Sequence, residues 1–342
     1  MKTKRKFPKW LKVTLVIALP LLAAAMLLWP QPYFLEMPGT AAPVAQMVKV
    51  SGKSDAEKGD LSLTTVEITQ ANFAMMLWAK TQPFVSVETA QNMLGGLSNQ
   101  QFDLVNQFYM QTAQNVAVIE AFKAAGKPYT LSYQGVYVLQ ITNDSTFKGQ
   151  LEIADTITSI NKVTFKSSAE MIAYVEKQKV GAPVEIKVTR MSGGVHNFSG
   201  HYIKLSNGKT GIGIGLTDHT NVVTEPKVTI DAGNIGGPSA GMMFTLEIYQ
   251  QLTGKNLTQG RHIAGTGTIE EDGSIGQIGG VDKKVATASK AGATVFLAPD
   301  SGNKNPDENN YLAAVAAAKK AHTSMKIIPV KTLQDALSYL EK

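Results

Sequence analysis

Residues 233–241 read Gly-Asn-Ile-Gly-Gly-Pro-Ser-Ala-Gly and lead directly into the apolar run Met242–Tyr249. Glycines allow the backbone to come close to a bound group, and Pro238 fixes φ just before Ser239. The apolar run predicts a helix, so Ser239 is expected at its start, where free backbone N–H groups can stabilise an oxyanion. A serine at this place can equally be a simple helix N-cap, so this stretch alone does not establish a nucleophile.

Two further glycine-rich stretches follow in the same part of the chain. Residues 264–269 read Ala-Gly-Thr-Gly-Thr-Ile, and residues 273–285 read Gly-Ser-Ile-Gly-Gln-Ile-Gly-Gly-Val-Asp-Lys-Lys-Val. A serine nucleophile needs a general base, and no histidine-containing triad pattern is evident in the sequence. A lysine can take this role when burial lowers its pKa enough to leave part of it neutral.

Helical spacing separates the two lysines of the third stretch. Its apolar positions recur at i, i+4 and i+7, at Val281, Val285 and Ala288. Lys284 lies on this buried face, whereas Lys283 falls beside Thr287 and Lys290 on the face that we expect to be solvated. A lysine on an apolar face must be neutral or paired, which makes Lys284 the better candidate for a base.

In this order the three stretches resemble the proteolytic domain of Lon-type Ser–Lys proteases, over roughly residues 211–342. The resemblance implies that Ser239 is the nucleophile and Lys284 the catalytic lysine. It also implies that the Thr266 hydroxyl orients the lysine amine. For the acyl transfer that we expect, backbone N–H groups around Gly237 and Ser239 would hold the oxyanion. Histidines that ATP-dependent members carry upstream of the serine are replaced here by Lys227-Val228-Thr229-Ile230-Asp231, so no histidine role is carried over.

Residues 128–206 carry an ordered series of strand, turn and helix signals that resembles a PDZ domain. The resemblance implies a carboxylate-binding loop and peptide-binding strand, which we assign to Gly135, Val136, Tyr137 and Val138. An extended peptide is then expected to pair with the edge of this strand. The sequence departs from the usual pattern at Ala154 and Lys162, where glycines are common. The alternative is a small β-rich module with only a packing role.

The amino terminus predicts a membrane anchor. Residues 13–29 form an uncharged apolar run, which as a helix spans about 25 Å. The basic residues of the first twelve positions precede it without any acid: Lys2, Lys4, Arg5, Lys6, Lys9 and Lys12. This asymmetry predicts a cytoplasmic amino terminus and an extracellular catalytic domain. A signal peptide cleaved near Ala23–Ala25 is the competing interpretation.

The composition excludes several kinds of site and partner. The chain has 342 residues, 44% hydrophobic and 18% charged, with no cysteine. Such a chain can bury real cores, but it has no thiol nucleophile, disulfide or cysteine-based zinc site. Of its 33 basic residues, against 27 acidic ones, the surplus lies in the first twelve positions, so a nucleic-acid partner is not expected.

We therefore predict an α+β protein with a single transmembrane helix, a PDZ-like β-rich module and a Lon-type proteolytic α+β domain. The predicted divisions are a basic tail (1–12), an anchor (13–29), strands and helices that join the protease domain (30–127), the PDZ module (128–206) and the Lon-type domain (207–342). Residues 34–70 resemble the opening strands of a Lon proteolytic domain. We therefore expect the PDZ module to be inserted within that domain.

The whole arrangement is similar to membrane-anchored PDZ–Lon proteases of Gram-positive bacteria. It implies a serine endopeptidase that cuts exported peptides or unfolded protein segments, with the PDZ domain recruiting them and the membrane as a single-pass partner. No GxxxxGK[ST] motif occurs in the chain, so we expect cleavage without ATP. We also expect no cofactor and no metal ion. Self-association is implied without a fixed copy number. The alternatives are a catalytically inactive PDZ scaffold or adaptor, and a trypsin-like PDZ protease, whose triad is not evident.

Overall fold

The computed structural model of the chain describes residues 9–52, 58–191 and 193–342. Its helices are α1 (Lys9–Leu28), α2 (Phe73–Ala79), α3 (Ala90–Leu94), α4 (Asn99–Ala124), α5 (Ser168–Glu176), α6 (Gly241–Thr253), α7 (Val281–Lys290), α8 (Asn310–Lys320) and α9 (Leu333–Leu340). Short 3-10 helices lie at Val44–Gln46 and Pro306–Glu308.

The strands lie in the stretches between these helices. They are β1 (Pro30–Pro43), β2 (Val48–Val50), β3 (Asp60–Asn72), β4 (Ser86–Thr89), β5 (Tyr129–Ile141), β6 (Thr156–Ile160), β7 (Pro183–Thr189), β8 (Val195–His201), β9 (Ile203–Lys204), β10 (Thr210–Gly211), β11 (Ile214–Thr224), β12 (Val228–Ile230), β13 (His262–Gly265), β14 (Val295–Pro299) and β15 (Lys326–Val330).

The larger sheet has the strand order β15-β14-β13-β3-β1-β4. Strands β15, β14, β13 and β3 run parallel, and β1 is antiparallel to both β3 and β4. Helices α4, α6 and α9 contribute apolar side chains to a core that includes Leu61 and Leu63 of β3. This sheet and its helices hold all three glycine-rich stretches in one unit.

A second sheet has the order β11-β5-β6-β7-β8 and packs its own core around α5. In sequence it lies between β3 and β13, and these two strands pair directly, with Leu61 opposite Ile263 and Leu63 opposite Gly265. The chain therefore leaves the larger sheet and returns to it. We call the intervening residues 129–224 the insert.

One predicted boundary is wrong. The division after residue 206 assigned residues 207–224 to the protease domain, but β11 pairs with β5 along almost its whole length, from Ile214 opposite Ile141 to Thr224 opposite Tyr129. The strand has mixed polarity and begins beside glycines, so its local pattern resembles the glycine-rich loops that follow it. Its place in the insert depends on a partner some 80 residues away.

The amino-terminal helix α1 covers most of the predicted anchor and contains Pro20. Among the residues that the structure describes, no helix is long and apolar enough to cross a membrane. The anchor over residues 13–29 therefore stays a prediction. The predicted basic tail falls mostly on residues 1–8, which lie outside the described residues.

Candidate active site

Ser239 lies in the loop that enters α6. The helix begins at Gly241, with Ala240 as its N-cap residue and no side-chain cap hydrogen bond. The N-cap interpretation of Ser239 is therefore wrong, because the serine precedes the cap and its hydroxyl is directed to a side chain on another helix. That side chain is Lys284, whose Nζ donates to Ser239 Oγ at 2.6 Å.

Lys284 is brought to the serine by α7. Gly280 is the N-cap of this helix and has a φ of +66°, a conformation that favours glycine. From the first turn, the Lys284 side chain reaches inward and is only 3% exposed. Val281, Val285 and Ala288 are buried on the same helix, as the spacing predicted. Helix α7 therefore places the Lys284 amine beside Ser239 from a buried, apolar face.

Thr266 connects the two residues. Lys284 Nζ donates to Thr266 Oγ1 at 3.0 Å, and that hydroxyl in turn donates to the Ser239 carbonyl oxygen at 3.1 Å. The Gly267 N–H donates to the same carbonyl at 2.9 Å. The threonine hydroxyl is therefore fixed as an acceptor for the amine, and the backbone of the serine is fixed by two donors.

Burial changes the protonation of the amine. It lowers the pKa of Lys284 from 10.5 to about 8, while the negative charge of Glu36 acts in the opposite direction. At such a pKa about one tenth of the amine is neutral at pH 7, where an ordinary lysine is almost fully charged. A lone pair on Lys284 is therefore available to accept the Ser239 proton near neutral pH.

The Gly237 N–H is engaged elsewhere in this structure. It donates to the backbone carbonyl of Asn106 on α4 at 2.8 Å, so it is not free to hold an oxyanion in this structure, and its expected role stays a prediction. The reason is the position of α4, which lies against the loop before Ser239. Sequence distance hides this contact, because Asn106 is more than 130 positions upstream.

A cavity of about 940 Å³ opens beside the serine. Its lining includes Ser239 and Lys284, residues of β3 such as Thr65 and Glu67, and Phe102 at the start of α4. The cavity is therefore large enough for several peptide residues and reaches the hydroxyl–amine pair directly.

Lys283 is not solvated, contrary to the sequence-based expectation. It is 6% exposed, and its Nζ lies 3.1 Å from Glu36 Oε2 and 3.3 Å from Asp282 Oδ1. The expectation failed because α7 packs against β1 as well as against its apolar face. Glu36 on β1 therefore meets the side of the helix that periodicity marks as polar.

The predicted peptide-binding residues are also misplaced. Gly135, Val136, Tyr137 and Val138 lie on β5, which is an inner strand that pairs with β11 on one side and β6 on the other. Val136 and Val138 are fully buried, and Tyr137 stacks on Phe108 of α4 with ring centroids 3.5 Å apart. A strand with both edges paired cannot accept a peptide strand, so this assignment is wrong.

The outer strand of the insert is β11. It ends the sheet, and in the part of the chain that the structure describes no strand pairs with its far edge. Helix α5 lies beside it, since the Ser168 N–H at the start of α5 donates to Asp218 Oδ1 of β11 at 2.6 Å. The run Gly211-Ile212-Gly213-Ile214-Gly215 before and at the start of β11 is the glycine-led signal that the sequence reading missed.

A comparison with known protein families matches the PDZ domain to residues 106–198. The chain contains a PDZ domain. The match begins inside α4 and ends inside β8, so it covers the inner strands of the insert and α5 but not β11. Because β11 completes the same sheet, the PDZ domain of this chain extends to it.

The chain also has weak homology to Lon proteases. It is 29% identical over 103 residues to the Lon protease of Neorickettsia sennetsu, which covers 30% of this chain and 11% of that protein. It is 40% identical over 102 residues to that of Campylobacter concisus, with 30% and 11% covered. For that of Chloroflexus aggregans the identity is 24% over 196 residues, with 55% and 22% covered. The chain thus spans only a small part of these curated relatives.

Solved PDZ domains of Listeria proteins are similar to part of the chain. The PDZ domain of the SdrC-like protein of Listeria monocytogenes is 34% identical, with 25% of this chain and 90% of that one covered and a TM-score of 0.24. The corresponding domain from Listeria innocua is 37% identical, with 25% and 96% covered and a TM-score of 0.24.

Proposed function

We propose that this chain is an ATP-independent serine endopeptidase with a Ser239–Lys284 dyad. The observation that carries the proposal is the 2.6 Å contact between Lys284 Nζ and Ser239 Oγ, made by an amine whose pKa burial lowers to about 8. Packing alone gives no reason to bury a lysine against a serine loop beside an open cavity. The weak homology to Lon proteases supports the same reaction class.

The proposed reaction is acyl transfer. Neutral Lys284 accepts the Ser239 proton while Oγ attacks the peptide carbonyl carbon, and the carbonyl oxygen becomes an oxyanion. As the tetrahedral intermediate collapses, the lysine ammonium gives its proton to the leaving amine. Water then attacks the acyl-enzyme with the lysine again as the base, which releases the acid and restores the serine. In both steps the Thr266 hydroxyl keeps the Lys284 amine in position at Ser239 Oγ.

We assign stabilisation of the oxyanion to the backbone N–H of Ser239, at the positive end of α6. Pro238 offers no N–H, and the Gly237 N–H becomes a second donor only when its bond to the Asn106 carbonyl opens. Asn106 and Gly237 both line the cavity, so this bond lies at its wall.

The PDZ domain is proposed to recruit peptides or unfolded protein segments. An extended segment would pair with the outer edge of β11 beside α5, and the glycine-led run from Gly211 to Gly215 would supply backbone N–H groups for a terminal carboxylate. The open edge and the neighbouring helix support this position in place of β5. Self-association of the proteolytic unit remains a proposal from the resemblance.

We also propose that the chain is anchored in the cell membrane by residues 13–29, with its amino terminus in the cytoplasm and its catalytic unit outside. This rests on the sequence alone, namely the apolar run and the basic residues before it. Proteinase added to intact cells should remove the PDZ and catalytic regions and leave the amino terminus protected. Protection of the whole chain would contradict the proposal.

The decisive experiment compares the full-length wild type with Ser239→Ala and Lys284→Met. Each is incubated without ATP with casein and with the secreted peptides of the source organism, and cleavage is read by mass spectrometry. We expect wild type to cut, ATP to have no effect, and each variant to lose on the order of a thousandfold or more in rate. Ser289→Ala, a serine farther along α7, is the matched control.

Cleavage by Ser239→Ala as fast as by wild type would disprove the dyad. An absence of cleavage by any of the proteins would favour the alternative function, a catalytically inactive PDZ scaffold or adaptor at the membrane. A fluorophosphonate probe, which reacts with activated serines, separates this outcome from a very narrow substrate range. The probe should label Ser239 in wild type even when no substrate is found.

A further inference from the structure

Glu36 and Lys283 form an ion pair beside the proposed dyad. Their charged atoms lie 3.1 Å apart, and the two side chains are only 18% and 8% exposed. Glu36 comes from β1, whereas Lys283 precedes Lys284 on α7. The pair therefore joins a strand of the larger sheet to the helix turn that carries the proposed base.

The carboxylate is fitted closely to the start of α7. A Cβ added at Gly280 would lie 2.6 Å from Glu36 Oε1 and 2.8 Å from Val66 Cγ1, so a side chain there would displace the carboxylate. Ser86 Oγ of β4 also donates to Glu36 Oε2, at 3.4 Å. A negative charge at a helix N-terminus is favourable. Glu36 therefore stabilises the first turn of α7 in addition to pairing with Lys283.

The charges around Lys284 indicate how Lys283 affects its protonation. Glu36 faces it from β1, and Lys283 and Asp282 flank it on α7. Glu67 of β3 and Asp103 of α4 line the same cavity, whereas α8 carries charge only in its last turn. An unpaired carboxylate beside Lys284 would stabilise the ammonium form and so remove the lone pair that the reaction needs.

We propose that the Lys283–Glu36 pair is a positioning device that keeps Lys284 competent as a base. Lys283 balances the Glu36 charge beside the dyad, and together the two residues fix the first turn of α7. The inference rests on the proposed Ser239–Lys284 function and assigns to that site two residues that act through Lys284, of which Glu36 also borders the cavity.

The test uses the pH dependence of fluorophosphonate labelling of Ser239 in full-length Lys283→Met, Glu36→Gln and the double variant. Lys283→Met removes a cation and leaves Glu36 unbalanced. The alkaline rise in labelling should therefore move to higher pH, with a rate roughly tenfold lower at pH 7 that recovers by about pH 9 to 10. Glu36→Gln should move the rise to lower pH, and the double variant should return it toward wild type. Lys290→Met, an exposed lysine on α7, is the matched control.

If the Lys283–Glu36 pair only stabilised the fold, the labelling would respond differently. In that case Lys283→Met would lower the labelling rate by the same factor at every pH, and the opposite shifts of the two single variants would be absent. Either finding would overturn the proposal. Lys283→Gln serves as a second variant should Lys283→Met fail to fold, since it keeps a polar side chain against Glu36.

A second measurement separates this inference from the proposed function. A buried lysine with a lowered pKa makes the free energy of unfolding rise with pH between its native pKa and 10.5, because the unfolded chain then binds the extra proton. Urea unfolding of each chain is therefore compared with its Lys284→Met counterpart between pH 7 and 10. The rise should begin at higher pH in Lys283→Met than in wild type. The proposal is wrong if the onset is unchanged, whether or not Ser239 reacts with the probe.

Discussion

Lys283 and Lys284 are adjacent in the sequence, but their side chains contact different residues. Lys284 meets Ser239 and Thr266, whereas Lys283 meets Glu36 and Asp282. Periodicity predicted the burial of Lys284 correctly because its apolar neighbours on α7 are local. It could not predict the burial of Lys283, because the partner that compensates its charge is about 250 positions away.

The first prediction concerns the pH dependence of the proposed reaction. Only neutral Lys284 accepts a proton, so kcat/KM should rise with pH through about 8 and then level off. The measurement is a rate profile from pH 6 to 10 with a casein-derived peptide. Lys284→Arg, which keeps the positive charge but does not lose its proton, should be inactive throughout this range. A rise centred near pH 6.5 would instead indicate a histidine base.

The second prediction concerns Thr266. Thr266→Val keeps the shape but removes the hydroxyl that accepts from Lys284 and donates to the Ser239 carbonyl. We expect kcat to fall roughly ten- to a hundredfold with KM almost unchanged, because the amine loses its orientation but the cavity remains. Thr266→Ser should restore most of the rate. An equal loss in both variants would show that packing, rather than the hydroxyl, is what matters.

At the scale of elements, the sequence identified helices better than strand neighbours. Thr332 and Asp335 form the capping box of α9, and such caps are local signals that a sequence shows directly. The peptide-binding strand was assigned to β5 because it follows Gly135. Strand order is set by pairing across the chain, and that pairing places β5 inside the sheet and β11 at its edge.

The third prediction follows from the departures of the insert from the usual PDZ pattern. Ala154 and Lys162 have φ values of +76° and +66°, so both residues occupy conformations that favour glycine. Asn161 and Lys162 form a two-residue turn in which Ile160 and Val163 exchange both backbone hydrogen bonds. Lys162→Gly creates the Asn-Gly pair that such turns prefer and should stabilise the chain by about 1 kcal/mol in urea unfolding. A loss of stability would show that the Lys162 side chain makes a compensating contact.

The fourth prediction concerns the proposed groove between β11 and α5. Ile172 of α5 is 42% exposed, whereas Met171 and Val175 of the same helix are buried. An exposed apolar side chain beside an open strand edge suits a peptide side chain, so Ile172→Glu should weaken peptide binding at least roughly tenfold. The measurement is titration of carboxyl-terminal peptides selected from an array. Val180→Glu, an exposed apolar position outside α5, is the control that should bind normally.

At the scale of the whole molecule, α4 connects the PDZ domain to the proposed active site. Its Phe108 stacks on Tyr137 of β5, and its Asn106 carbonyl accepts from the Gly237 N–H two positions before Ser239. Asn115 Nδ2 also donates to the Thr220 carbonyl of β11 at 2.8 Å. We predicted strands and helices over residues 30–127, but nothing in that stretch of sequence indicates which two units α4 joins.

The last prediction tests this connection. Phe108 is 3% exposed between α4 and the insert, so Phe108→Ala should reduce the free energy of unfolding by about 3 kcal/mol through lost packing and the cavity that it leaves. Because Asn106 lies half a turn away, the variant should also alter the rate of Ser239 labelling, although Phe108 does not line the cavity. Tyr109→Ala removes a neighbouring aromatic ring that is 38% exposed and should change neither quantity by a comparable amount. If Phe108→Ala loses stability but labels Ser239 at the wild-type rate, α4 holds the two units together without influencing the chemistry of the loop that it touches.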